Sequence, residues 1–346
     1  MADLTTRYLG LTLRNPIVAG SSGLSNSVEG VLRLEEAGAG AVVLKSVFEE
    51  EISLEYQATM RDELRRGGSP EAMDYFDRQI RGEKLDHYRA LISQSKKRAS
   101  IPIIASVNCT FSYEWAYFAR EMEAAGADAL ELNMSFLPTD FRRTAEEQEA
   151  SYFRVIERVR QQVSIPVSLK ISHYFTNLGP MIQRLSTTGI AGLVLFNRLW
   201  QPDIDIEKLT IVPARALSSP DEIALALRWV AIMSGRVPID LAGSTGVHSG
   251  EAVIKMLLAG ARVVQVASVL YREGLGHLGV MLAGLRTWMD AHGYTAIDEF
   301  RGLLSQAASA DPAMYERVQF MRFYGSALEA GNRDVGRGRA LDGFGH

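Results

Sequence analysis

The sequence predicts an α/β fold, a (β/α)8 TIM barrel with insertions after strands 2 and 6 that cover the C-terminal face of the barrel. Short apolar runs alternate with longer amphipathic runs along most of the chain. Near-continuous runs of Val, Ile, Leu and Ala are typical of parallel strands buried on both faces. Several helical runs pass to the next strand through a glycine, as in EEAGAGAVV and LLAGARVVQ, and glycine directly after a helix fits the C′ position.

Eight strands and eight helices follow from this alternation. A doubly wound open sheet is the structural alternative, but that fold places a GxGxxG turn after its first strand, and the first turn here, Ala19 to Gly23, lacks that order. The predicted strands are 16–20, 41–46, 101–108, 129–135, 165–172, 191–197, 237–243 and 262–268. The predicted helices are 27–38, 70–97, 112–125, 145–163, 178–189, 220–235, 248–260 and 272–291.

The domain organisation follows from the extent of the repeat. We predict a barrel domain over residues 1–305, a C-terminal helical extension over 306–330 and a disordered tail over 331–346. Two segments, 47–75 after strand 2 and 198–219 after strand 6, do not fit the repeat. Both lie on the C-terminal side of the barrel, so we expect both to cover the active site.

The composition excludes several classes of protein. With 47% hydrophobic and 23% charged residues and a net charge of −4, the chain offers no electrostatic case for binding nucleic acid or an anionic membrane. The single Cys109 excludes a disulfide framework or a cysteine-built metal site within one chain. No apolar run approaches ~20 residues, and the first ten residues lack the layout of a signal peptide. We therefore expect a cytoplasmic enzyme.

Two turns of small residues point to a phosphate. Gly243-Ser244-Thr245-Gly246 follows strand 7, and Ala267-Ser268 follows strand 8, just before a helix expected to begin near Tyr271. Uncovered backbone N–H groups at helix N-termini suit a phosphate. The loops after strands 7 and 8 are also where TIM barrels usually place a phosphate site.

Polar residues at the ends of the predicted strands indicate a single site. Catalytic groups of this fold project from the C-terminal strand ends, and here they include two lysines and three asparagines, with no metal-type cluster of Asp, Glu and His. Such a set suits an anionic or strongly hydrogen-bonding planar ligand. The residues are Lys45, Ser46, Asn108, Asn133, Ser135, Lys170, Ser172, Asn197, Ser244 and Thr245.

Seven motifs, in order, resemble the FMN-binding barrel of the dihydroorotate dehydrogenase family, in the branch usually labelled dihydroorotate dehydrogenase-like. They are NPIVAGSSG, GAGAVVLKS, ELNMS, SLKIS, LVLFN, AGSTG and QVASVLYREG, and the resemblance covers residues 4–300. It implies FMN across the barrel mouth and oxidation of dihydroorotate or a related dihydropyrimidine by hydride transfer to flavin N5. It also implies a homodimer.

The resemblance assigns roles to these residues. The turns Gly243–Gly246 and Ala267-Ser268 would hold the FMN phosphate, and the backbone of Ala19, Gly20 and Ser21 would contact the isoalloxazine ring. Lysine near the flavin stabilises the negative charge of its reduced form, a role for Lys170 or Lys45. Asn133 and Asn197 would bind the imide edge of a pyrimidine. The residues expected to face flavin or substrate are Lys45, Ser46, Asn108, Asn133, Lys170 and Asn197.

The substrate half of the pattern departs from the family. The family's proton-accepting Cys or Ser, three residues after the strand-4 asparagine, is replaced by Phe136, and the asparagine two positions further on by Pro138. The asparagine loop after strand 2 has no match. Ser135 is a candidate base, although strand alternation is expected to direct it away from Asn133. His173 and Tyr174 are other candidate proton carriers.

Three alternatives to dihydropyrimidine oxidation remain open at this point. The first is an FMN oxidoreductase of the same family with a changed substrate, because Phe136 cannot accept a proton. The second is a phosphate-binding barrel lyase or isomerase that uses Lys45 or Lys170 as a Schiff-base amine. The third is a flavin-binding protein without turnover.

Overall fold

The computed structural model describes residues 2–48, 70–108, 112–199 and 201–316. Eight parallel strands form a closed barrel, because each strand pairs with the next and the eighth pairs with the first. The predicted TIM barrel is therefore confirmed. The strands are β1 (Ile17–Ala19), β2 (Ala41–Val43), β3 (Ile103–Asn108), β4 (Ala129–Met134), β5 (Val167–Ile171), β6 (Gly192–Leu195), β7 (Asp240–Ser244) and β8 (Val263–Val266).

Helices surround the barrel, and serine or threonine caps mark several of their starts. Ser27 accepts from the backbone N–H of Gly30 at 3.1 Å, and Ser249 accepts from that of Ala252 at 3.2 Å, each satisfying one of the free N–H groups of a helix N-terminus. The helices are α1 (Val28–Glu36), α2 (Pro70–Arg98), α3 (Ser112–Ala124), α4 (Ala145–Arg160), α5 (Leu178–Ser186), α6 (Ile223–Met233), α7 (Gly250–Ala259), α8 (Ser268–Glu273) and α9 (His277–His292).

The last predicted helix, 272–291, is wrong in its first part. The chain instead forms the short helix α8, which begins at Ser268 rather than near Tyr271, and then the longer helix α9. The break falls at Gly274, whose φ of +80° is outside the helical region.

A hairpin that the sequence analysis did not predict closes the N-terminal end of the barrel. Its strands, Thr6–Tyr8 and Leu11–Leu13, pair antiparallel. The backbone N–H of Leu9 donates to Asp240 Oδ2 at 2.8 Å, at the start of β7. Tyr8, Leu9 and Leu13 pack with barrel residues in an apolar cluster of their own. This cluster fills the end of the barrel opposite the predicted site.

The predicted insertions differ in how much the structure describes. After β2, the short strand Val47–Phe48 pairs with the end of β3. Residues 49–69 lie outside the described residues, and α2 already begins at Pro70. After β6, the strands Pro202–Asp205 and Thr210–Pro213 form an exposed antiparallel hairpin. The chain then returns to the barrel mouth at Ala216 and Ser218.

The C-terminal predictions are only partly covered. Residues 306–316 are described and contain one short turn of 3-10 helix, Pro312–Tyr315. The remainder of the predicted extension (306–330) and the whole predicted tail (331–346) lie outside the described residues, so the division into domains stays a prediction. Across the described ranges, no helix combines the length and apolar character that crossing a bilayer requires.

Candidate active site

A cavity of about 170 Å³ opens among the C-terminal ends of β5 to β8 and β1. We call it the mouth cavity. Nine of the residues predicted to bind the cofactor line it, together with Arg198, Ala216, Ser218, Val247, His248, Gln265 and Val266, which had not been assigned to the site. The nine are Gly20, Ser21, Lys170, Asn197, Ser244, Thr245, Gly246, Ala267 and Ser268.

The turn after β7 has a backbone that only glycine accepts at one position. Thr245 and Gly246 both have φ of +77°, in the left-handed region. A Cβ atom on Gly246 would lie 2.1 Å from the backbone nitrogen of Ile223. Thr245 Oγ1 donates to the carbonyl of Phe196 at 3.1 Å. The turn is thus held between the start of α6 and the end of β6, and its residues Ser244, Thr245 and Gly246 line the mouth cavity.

A second group of polar residues joins the two small-residue turns. The backbone N–H of Ser218 donates to Ser268 Oγ at 3.0 Å, and Ser218 Oγ lies 3.0 Å from His248 Nε2. Burial, with the nearby Arg272 guanidinium, lowers the pKa of His248. The imidazole therefore stays neutral at pH 7 and takes part as a hydrogen-bonding group.

Arg198 brings a positive charge to the edge of the mouth cavity. Its Nε donates to Glu222 Oε2 at 2.7 Å, and its Nη1 donates to the carbonyl of Ala216 at 3.0 Å. Burial opposes the ionised form of Glu222, but hydrogen bonds from Arg198 and from the N–H of Ser219 outweigh it and hold the pKa of this carboxyl below its usual range. Arg198 directly follows a predicted site residue, Asn197, which is the signal in the sequence that could have found it.

A line of hydroxyls connects the first three strands behind the mouth cavity. Ser21 Oγ accepts from the backbone N–H of Ser46 at 2.9 Å, and Ser46 Oγ lies 2.7 Å from Ser106 Oγ. Ser46 therefore holds the Ser21 side chain in place through this hydrogen bond. Six of the residues predicted to bind the cofactor lie outside the lining of the mouth cavity: Ala19, Lys45, Ser46, Asn108, Asn133 and Gly243.

Lys170 takes part in a polar relay that the sequence analysis missed. Its Nζ donates to Gln265 Oε1 at 2.9 Å, and Gln265 Nε2 donates to Glu131 Oε2. All three side chains are buried, and they come from β5, β8 and β4. Glu131 and Gln265 are single polar residues within otherwise apolar stretches of their strands, ALEL and VVQV, and that interruption is the available signal.

A larger cavity of about 890 Å³, the side cavity, lies at the ends of β3 to β5. It is lined by Asn108, Ser135, Phe136, His173 and Tyr174, among others, so it contains the candidate proton carriers. Burial lowers the pKa of His173, which leaves its imidazole neutral and able to accept a proton.

The expected separation of Ser135 from Asn133 is wrong. Ser135 Oγ donates to Asn133 Oδ1 at 3.0 Å. Residues two apart on a strand share a face, and β4 ends at Met134, so the two side chains meet where the strand ends.

Phe136 belongs to an aromatic cluster that ties the loop after β4 to α4. Its ring meets that of Tyr152 edge-on at 5.2 Å, and Tyr152 in turn lies 5.2 Å from Phe175. The position at which the resemblance implies a base is thus occupied by a packing residue. No group of three or more His, Cys, Asp or Glu side chains suited to a metal occurs within the described ranges.

Comparison with known proteins identifies the family. The dihydroorotate dehydrogenase family model matches residues 3–289. The catalytic subunit of dihydroorotate dehydrogenase B (NAD(+)) from Thermoplasma acidophilum is 26% identical over 315 residues, covering 88% of this chain and 99% of the relative. The corresponding subunit from Methanothermobacter thermautotrophicus is 27% identical, covering 87% of this chain and 98% of the relative.

A relative with a different name extends the comparison. The chloroplastic dihydropyrimidine dehydrogenase (NADP(+)) of Arabidopsis thaliana is 26% identical, covering 87% of this chain and 76% of the relative. The resemblance found in the sequence motifs is confirmed, and the alternative of a phosphate-binding lyase or isomerase is set aside. Because the match spans the whole barrel, this chain belongs to the dihydroorotate dehydrogenase family of FMN-dependent oxidoreductases that act on CH–CH groups.

Proposed function

We propose that the chain oxidises a dihydropyrimidine with FMN bound at the mouth cavity, and that it acts as a cytoplasmic homodimer. The observation that carries the proposal is the convergence of both small-residue turns and the buried Lys170 ammonium on one cavity. FMN, when bound, supplies the hydride acceptor.

The residues present fit the cofactor. The Gly246 backbone packs against Ile223 with no room for a side chain, which fixes the turn beside the mouth cavity, where its backbone N–H groups would bind a phosphate. The volume of about 170 Å³ is smaller than a typical ligand site of ~300–1,000 Å³, so this cavity would hold part of FMN rather than the whole cofactor. Lys170 would hold a positive charge next to the flavin ring, where reduction places negative charge.

The other predicted residues divide between flavin and substrate. The backbone of Ala19, Gly20 and Ser21 would support the ring, and Asn133 and Asn197 would hydrogen-bond the substrate. Lys45 lies just beyond β2 and would place a second positive charge near the reacting atoms. Ser46, Asn108 and Gly243 would complete the FMN surroundings.

A second candidate is an oxidoreductase of this family with a substrate other than a dihydropyrimidine. Phe136 has no proton-accepting atom and is held by Tyr152, so the loss of the base is built into the packing. The side cavity, at about 890 Å³ as bounded by the described residues, is also far larger than a single pyrimidine ring needs. Ser135, His173 and Tyr174, the candidate proton carriers, all line this cavity.

Anaerobic reduction of the bound flavin separates these functions. Purified protein is mixed with millimolar dihydroorotate, dihydrouracil or dihydrothymine. The absorbance of the oxidised flavin at ~450 nm is then followed. Bleaching by any of the three supports the proposal. A flavin that dithionite reduces but none of these compounds bleaches would refute dihydropyrimidine oxidation and leave a changed substrate or a protein without turnover. Protein that cannot be reconstituted with FMN would refute the cofactor site itself.

A further inference from the structure

The polar relay of Lys170, Gln265 and Glu131 runs from the mouth cavity into the barrel interior. The side chains are 8%, 3% and 1% exposed, so all three groups are removed from water. The Lys170 Nζ–Gln265 Oε1 distance is 2.9 Å, and Gln265 Nε2 donates to Glu131. Within the described residues, no direct ion pair of 4.0 Å or less joins Lys170 to Glu131.

The chemistry of its neighbours fixes the orientation of the Gln265 amide. An ammonium only donates hydrogen bonds and a carboxylate only accepts them, so the amide must turn its oxygen to Lys170 and its nitrogen to Glu131. The reverse orientation would set donor against donor and acceptor against acceptor. Glu131 therefore selects the amide orientation that offers Lys170 an acceptor.

Fold stability does not account for Glu131. A buried carboxylate is costly unless it is paired and its oxygens are hydrogen-bonded. Within the described residues, Glu131 Oε1 has no hydrogen-bond partner, and the buried Tyr8 hydroxyl is close enough to be affected by its charge. Burial raises the pKa of Tyr8, and the negative charges of Glu131 and Asp240 raise it further. An apolar side chain at position 131 would remove the cost of the buried carboxylate and its effect on Tyr8. The role of the charge therefore lies in the site at the mouth cavity.

We propose that Glu131 is a positioning residue which, through Gln265, orients the Lys170 ammonium and offsets its charge, and so lowers the redox potential of the bound flavin. The inference rests on the proposed placement of Lys170 beside the flavin. A lysine there favours the anionic reduced flavin and raises the potential, whereas a buried negative charge behind the lysine opposes it.

Two variants separate charge from orientation. Glu131→Gln removes the charge and keeps an oxygen that can accept from Gln265, and Glu131→Met removes both. Both replacements leave the buried Lys170 ammonium without this negative charge and are expected to cost stability, so the FMN content of each folded variant is measured before its potential. Ser168→Ala is the matched control, because Ser168 is a fully buried residue of β5 whose hydroxyl donates to the carbonyl of Leu130 rather than to the relay.

The test is the midpoint potential of the bound FMN, measured by equilibration with a reference dye and without any substrate. We expect Glu131→Gln to favour two-electron reduction at least tenfold, a positive shift of about 30 mV. Glu131→Met should shift it less, because Gln265 is then free to turn away from Lys170. Ser168→Ala should leave the potential unchanged.

The outcomes distinguish this inference from the proposed function. Glu131→Gln and Glu131→Met proteins that hold FMN at the wild-type potential would overturn the role of Glu131. Equal positive shifts in the two would overturn the orienting role and leave only the charge. A Lys170→Met protein with unchanged potential would instead refute the proposed position of Lys170 beside the flavin.

Discussion

Gly246→Ala tests the turn that we propose holds the FMN phosphate. The added methyl would lie 2.1 Å from the nitrogen and 2.6 Å from the Cα of Ile223, both backbone atoms that cannot rotate aside. A non-glycine residue at φ of +77° costs about 1–2 kcal/mol, and forcing a methyl into a packed region costs about 1–3 kcal/mol. We therefore expect a loss of about 2–5 kcal/mol in the free energy of unfolding.

Gly293→Ala is the matched control. Gly293 has φ of +74°, but a Cβ built on it meets no atom of the described residues within 4 Å. It should lose only the conformational part, about 1–2 kcal/mol. Urea unfolding of the FMN-free proteins compares the two variants, because bound FMN would add its own binding energy to the measured stability. Fluorescence titration measures FMN affinity separately. Displacing the turn should weaken FMN binding at least tenfold in Gly246→Ala, or about 1.4 kcal/mol.

Equal losses of stability in the two variants would show that α6 yields to the methyl, which refutes the steric reasoning. Wild-type FMN affinity in a destabilised Gly246→Ala protein would refute the assignment of this turn to the phosphate.

Three further predictions concern the rest of the site and its frame. Phe136→Cys should create or raise dihydroorotate oxidation, followed as anaerobic flavin bleaching, and an unchanged rate would show that the missing base is not the only obstacle. Arg198→Ala should cost up to about 1 kcal/mol at pH 7, since its ion pair is partly exposed. Because the folded-state pKa of Glu222 lies below 4.5, this difference should shrink as the pH falls below that value, and a constant difference in thermal melts from pH 7 to 3 would contradict it. Asp128→Asn should cost about 1 kcal/mol by urea unfolding, because the carboxylate binds Lys96 Nζ at 2.7 Å and the N–H of Ile103 at 2.8 Å.

The barrel itself was predictable because its strands are buried on both faces and therefore read as apolar runs. The break at Gly274 also left a signal in the sequence, since a glycine lies on each side of Leu275. The helical periodicity continues on both sides of this point, however, so the pattern predicts one uninterrupted helix. The N-terminal hairpin was not predictable in this way. Its strands have three residues each, too few for an alternation pattern, and Tyr8 is buried only because the closed barrel receives it.

The residues of the candidate site were likewise predictable only in part. Residues at strand ends, such as Lys170 and Asn197, follow from the fold class, because parallel strands end at one mouth. Glu131 and Gln265 are far apart in sequence and become neighbours only when the barrel closes. The meeting of Ser135 with Asn133 depended on reading strand alternation correctly and on where β4 ends.

The N-terminal hairpin has a consequence for the order of folding. It is synthesised before every strand whose end it closes, yet its contacts with Asp240 and with the cluster residue Val263 exist only after β7 and β8 have joined the barrel. Contacts across so long a stretch of chain form slowly, because the loop between them must be closed first. The first segment of the barrel to leave the ribosome is therefore among the last to dock, and until then its apolar side chains are available to chaperones.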